Sequence, residues 1–134
     1  MASTCLLDST VIIDAINGRN RRSQLLDGLL AEGTLLACCP INVTEVFMGM
    51  RPSEAAKTEA FLGSLEFYPV TWEVAKYAGA LYREWRQKGR TLALPDLTIA
   101  AVAITNGLRL ATDNPKDFPM PELRLQPFPR TGVG

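Results

Sequence analysis

Short apolar runs alternate with amphipathic stretches along the chain. The runs at 4–7, 34–39 and 108–112 are brief and mostly apolar, the pattern of parallel strands covered on both faces. A run at 67–70 contains Pro69 and reads as an edge strand, and 123–126 reads as a last strand. Between them, Asp8-Ser9-Thr10 signals the start of a short helix over 11–16 that ends near Asn17-Gly18. Ser23 is placed to cap a helix carrying Leu25, Leu26, Leu29 and Leu30, with Gly33 after its end. Asn42 is read as the start of a helix carrying Val46, Phe47 and Met50, and Ser53 as the cap of one carrying Phe61, Leu62 and Leu65. Thr71 opens the clearest helix, with Val74, Ala78, Leu81, Tyr82 and Trp85 on one face. Pro95-Asp96 starts a helix over 97–105 that is apolar nearly all round, hence buried. Strands alternating with helices predict an α/β protein, a three-layer α/β/α sandwich around a mostly parallel sheet.

With 134 residues the chain fits one domain, with a loose tail from about residue 127. The formal net charge is zero, so any nucleic-acid contact must come from a local basic patch. Cys5, Cys38 and Cys39 fall inside apolar runs without C-x-x-C spacing, as expected of buried, reduced thiols in a cytoplasmic protein. No apolar run is long enough for a membrane span, and no secretory leader is evident at the N-terminus. Histidine is absent, which excludes an imidazole base or ligand and leaves carboxylates as the main groups for acid–base or metal chemistry.

Four acids stand where a strand ends or a helix begins: Asp8, Glu45, Asp96 and Asp113. In an open parallel sheet, ligands bind beyond the carboxyl ends of the strands. Helix starts point their free N–H groups to the same edge. Four carboxylates in one crevice repel one another, and a divalent cation relieves that repulsion. All-oxygen ligation suits Mg²⁺ or Mn²⁺ and not zinc. Each acid also has a structural reading. Asp8 and Asp96 suit helix first turns, Glu45 stands three after Asn42 as in a capping box, and Asp113 lies in turn chemistry.

The pieces Leu6-Leu7-Asp8-Ser9-Thr10, Asn42-Val43-Thr44-Glu45, Pro95-Asp96-Leu97-Thr98 and Leu110-Ala111-Thr112-Asp113-Asn114, in that order, resemble the PIN-domain family. Within it they resemble the toxin ribonucleases of VapBC toxin–antitoxin pairs. The resemblance implies an α/β/α sandwich and Mg²⁺- or Mn²⁺-dependent hydrolysis of RNA by activated water, leaving a 5′-phosphate and a 3′-hydroxyl. It implies structured RNA of the tRNA or ribosomal RNA class as substrate, a small VapB-like antitoxin as partner, and a homodimer. Asp8, Glu45 and Asp96 match the family's core acids. For the fourth place Asp113, Asn114 and Asp117 compete, and Asp113 is preferred because it comes first after the strand. Thr10 stands where many relatives carry Asn, and a hydroxyl there can still bond a neighbouring carboxylate. Thr112 is a supporting donor for Asp113.

Arg19, Arg21 and Arg22 form one basic cluster, and Arg83, Arg86, Lys88 and Arg90 another; with Arg51 they are either solvated charge or phosphate contacts. Phe47, Met48, Met50, Phe61 and Leu62 read as core, with part of an antitoxin groove as the alternative. Trp72 and Trp85 read as packing residues. Rival functions fit less well. A receiver-type signalling domain needs paired acids after the first strand, and a D-x-D phosphatase needs a second Asp where Thr10 stands. A PIN-like module that binds a partner without cutting remains the main alternative to a nuclease.

Overall fold

The computed structural model describes residues 3–128. Four parallel strands form one sheet in the order β3-β2-β1-β4: β1 (Thr4–Leu7), β2 (Leu35–Cys38), β3 (Glu66–Phe67) and β4 (Arg109–Ala111). The helices are α1 (Ser9–Ile16), α2 (Arg22–Ala31), α3 (Pro40–Met48), α4 (Ala55–Gly63), α5 (Trp72–Gln87) and α6 (Leu94–Asn106). Strand side chains alternate between two apolar layers, as a pleated strand dictates. Cys5, Leu7, Leu36, Cys38 and Ala111 pack with Val11, Ile12, Leu26, Val46 and Leu62 from the first four helices. Leu6, Ala37 and Leu110 pack on the other side with Val74, Ala78 and Leu81 of α5 and with α6. The sheet therefore lies between two helical layers, as the alternation of elements predicts. Buried α6 contributes residues 97–103 to the core, and Gly107 closes it with a left-handed φ of 67°.

Several predicted boundaries shift, each for a local reason. Helix α2 begins at Arg22 rather than behind a Ser23 cap, and its N-cap, Arg21, makes no side-chain cap bond. Helix α3 begins at Pro40, because proline is pre-organised for the first helical position and has no N–H to lose there. Asn42 is thus its third residue, and Glu45 lies in the second turn rather than the first. A 3₁₀ turn over Pro52–Glu54 replaces the Ser53 cap, with Glu54 Oε1 accepting from Arg51 N at 2.8 Å. The edge strand is Glu66–Phe67 only; Tyr68 N still donates to Cys38 O at 2.9 Å, after which Pro69 has no N–H to offer. The run 123–126 forms a single bridge, Leu110 to Leu125, instead of a strand. Trp72 is 78% exposed and Met48 79%, so neither packs in the core as read. The three cysteines are free and buried, and burial pushes the Cys5 and Cys38 thiols up to about 11. Among the described residues no helix is long and apolar enough to cross a membrane. The predicted tail lies outside the described residues from 129 onward.

Candidate metal centre at the sheet edge

The parallel register puts the ends of β1, β2 and β4 on one edge, and each leads into residues of interest. Asp8 follows β1 directly and caps α1, as its helix-start reading expects. Its backbone N–H donates to Ala111 O at 2.9 Å, tying the end of β1 to that of β4. One carboxylate oxygen accepts from Ser9 N at 2.9 Å and the other from Thr112 Oγ1 at 2.7 Å. Thr112 therefore supports Asp8, not Asp113. Its hydroxyl also accepts from Asn114 N at 3.0 Å, so Asn114 enters through its backbone. Thr10 is exposed and takes no part in these bonds.

Ser9 does the work expected of Thr10. Its hydroxyl donates to Glu45 Oε1 at 2.5 Å and accepts from Asn42 Nδ2 at 3.1 Å. Asn42 is fully buried, and its Oδ1 accepts from Cys39 N at 2.9 Å. A continuous chain of bonds thus runs from the end of β2 through Asn42 and Ser9 to Glu45. Helical geometry contributes directly, since Asn42 and Glu45 are three apart and share one face of α3. In the sequence, Ser9 and Asn42 are ordinary polar residues of two helix starts, with nothing to pair them.

Asp96 lies in the first turn of α6. Burial and then the charges of Asp8, Asp117 and Glu45 push its carboxyl up to about 6. Burial also raises Asp8, opposed by its bonds from Thr112 and Ser9 and reinforced by Glu45 and Asp113. The structure thus brings Glu45 and Asp113 within electrostatic reach of Asp8, and Asp8, Glu45 and Asp117 within reach of Asp96. Such repulsion in a half-buried crevice is the condition a hard cation relieves. The donor set is carboxylate oxygen, which fits Mg²⁺ or Mn²⁺. Among the described residues no three acid or cysteine side chains are gathered tightly enough to chelate an ion as they stand.

Arg19, Arg21 and Arg51 are exposed. Arg22 is not: it is 4% exposed and its guanidinium pairs with Asp113. In the second basic cluster, Lys88 pairs with Glu84 at 3.1 Å and lies 4.4 Å from the Trp85 ring, and Arg86 donates to Tyr82.

The PIN domain family matches residues 5–119 of this chain. Ribonuclease VapC19 of Mycobacterium tuberculosis is 34% identical over 120 residues, covering 89% of this chain and 96% of the relative. Ribonuclease VapC10 of the same organism is 33% identical over 123 residues, covering 92% of each. Among solved structures, VapBC2 from Rickettsia felis bound to a DNA fragment from its promoter superposes with a TM-score of 0.81 at 29% identity, over 92% of this chain and 97% of that one. A toxin–antitoxin complex from Klebsiella pneumoniae gives 0.74 at 29% identity, over 89% and 94%. The match spans both helical layers and all the strand ends that carry the acids, and the chain belongs to the PIN-domain family, in its VapC branch.

Proposed function

We propose that this chain is a metal-dependent endoribonuclease, the toxin of a VapBC-type pair, in which Asp8, Glu45 and Asp96 hold Mg²⁺ or Mn²⁺. The observation that carries this reading is the convergence of acids from the end of β1, from α3 and from α6 on one sheet edge, where the charge of Glu45 opposes ionisation of Asp8 and the charges of Asp8 and Glu45 oppose ionisation of Asp96. A bound ion supplies charge that polarises a phosphoryl oxygen and lowers the pKa of water.

The chain's own residues keep the acids ready for that ion. Ser9 N and Thr112 fix both oxygens of Asp8. Ser9 and Asn42 hold Glu45 in place, so its carboxylate meets the ion without a search over rotamers. Exposed Arg19, Arg21 and Arg51 are placed to meet phosphates of a structured RNA of the tRNA or ribosomal RNA class. The toxin–antitoxin complexes among the structural neighbours support a small VapB-like antitoxin as the protein partner; a homodimer in the cytoplasm is the working unit proposed with it.

The test is cleavage of a structured RNA by the purified chain. Cutting is expected with Mn²⁺ or Mg²⁺ and is expected to stop with EDTA. Full activity in EDTA would remove the metal from the account. No cutting under any ion would favour the binding-module reading.

A further inference from the structure

Arg22 follows an exposed basic loop, yet its own side chain is only 5% exposed. Asn20 and Arg21 before it both have φ of 55°, a left-handed conformation that costs a non-glycine residue about 1–2 kcal/mol. Two such residues in succession turn the chain so that Arg22 opens α2 with its guanidinium inside. There Nη2 donates to Asp113 Oδ1, and Nη1 donates to the Asn20 carbonyl at 3.1 Å. The guanidinium carbon lies 4.6 Å from the centre of the Phe128 ring, and Nε is buried without a partner among the described residues. A cation buried this deeply needs a counter-charge, and Asp113 is the carboxylate that meets it.

We propose that Arg22 is a built-in counter-cation that holds Asp113 out of the ion-binding set, leaving Asp8, Glu45 and Asp96 to take the divalent ion. A guanidinium and a divalent ion compete for the same carboxylate. Whatever binds Asp113 to Arg22 is therefore lost from its affinity for the ion, and the loss is reciprocal. The pair cancels one negative charge at the edge, which eases the repulsion there before metal binds. Arg22 acts here through Asp113, as a positioning residue. The inference rests on the ion site proposed above.

The test is calorimetric titration of Mn²⁺ into the full chain, with thermal unfolding of the metal-free protein alongside. Arg22→Gln with Asp113→Asn removes both charges together and leaves no buried ion unpaired. This double variant is expected to bind Mn²⁺ within about twofold of wild type. Arg22→Gln alone frees Asp113 and is expected to bind Mn²⁺ at least about fivefold tighter while melting at a lower temperature. A purely structural arginine would lower the melting temperature without tightening the ion. A double variant that binds tenfold or more weakly would make Asp113 a ligand and overturn the inference. So would an Arg22→Gln protein that folds and binds no tighter than wild type. Absence of Mn²⁺ binding to wild type would instead remove the ion site itself.

Discussion

Asp8→Asn and Asp96→Asn proteins are expected to fold and to cleave RNA at least about 100-fold more slowly than wild type. Each change keeps the shape of the side chain and removes one negative charge. For Asp8, the amide keeps a carbonyl to accept from Ser9 N, but its other end becomes an NH₂ facing the Thr112 hydroxyl, which can turn to accept. The cost to the fold is therefore small and the cost to ion binding large. For Asp96 the two effects should even have opposite signs. Burial and the neighbouring acids push its carboxyl up to about 6 in the folded chain, against 3.8 for the free group. Below the lower value both states are protonated, and Asp96 does not bear on stability. Between the two values the folded chain holds more protons, so stability falls as pH rises; above about 6 the whole penalty stands. In EDTA at pH 7, Asp96→Asn is thus expected to be more stable than wild type by about 1 kcal/mol, once solvent screening is allowed for. The gain should vanish below pH 4. Cleavage measured beside urea denaturation at both pH values checks the pair. Wild-type cutting by either variant would break the link between these acids and the chemistry.

Asn42→Ala is expected to be the most damaging single change to stability in this region. Asn42 is fully buried and bonds on both ends of its amide, to Cys39 N and to Ser9 Oγ. Alanine leaves the Cys39 N–H without its acceptor at the start of α3 and opens a void. Together these cost about 2–4 kcal/mol. For a chain of this size that lowers the melting temperature by about 10 °C. The neighbouring exposed Thr44→Ala should change it little. Ser9 also loses the group that orients its hydroxyl toward Glu45, so residual activity should fall further than stability alone explains. A melting shift below about 3 °C, by calorimetry, would show that the amide is not holding the helix start.

The sheet and the buried helix were legible because they are continuous apolar runs. Leu6, Leu7, Ala37, Cys38 and Leu110 occupy the covered strand positions that their pattern implies, and residues 97–103 are buried on all sides. Helix starts were less legible. Asn42 has the composition of a cap, but Pro40 starts α3 and turns Asn42 into a third-position residue whose side chain bonds backward. Contacts between distant segments were the least legible. Ser9 and Glu45 are 36 residues apart, and nothing local distinguishes Ser9 from Thr10 until the α1–α3 packing places one inside and the other in solvent. Arg22 reads as one of three arginines in a basic cluster. Only the left-handed backbone at Asn20 and Arg21 separates it from its neighbours, and asparagine and arginine do not announce that conformation as glycine would.

The most direct measurement is anomalous scattering from a crystal of the full chain soaked in Mn²⁺. One strong peak is expected at the carboxyl edge of the sheet, bonded to oxygens of Asp8, Glu45 and Asp96. A well-occupied manganese bound elsewhere, with these three carboxylates still apart, would contradict the account.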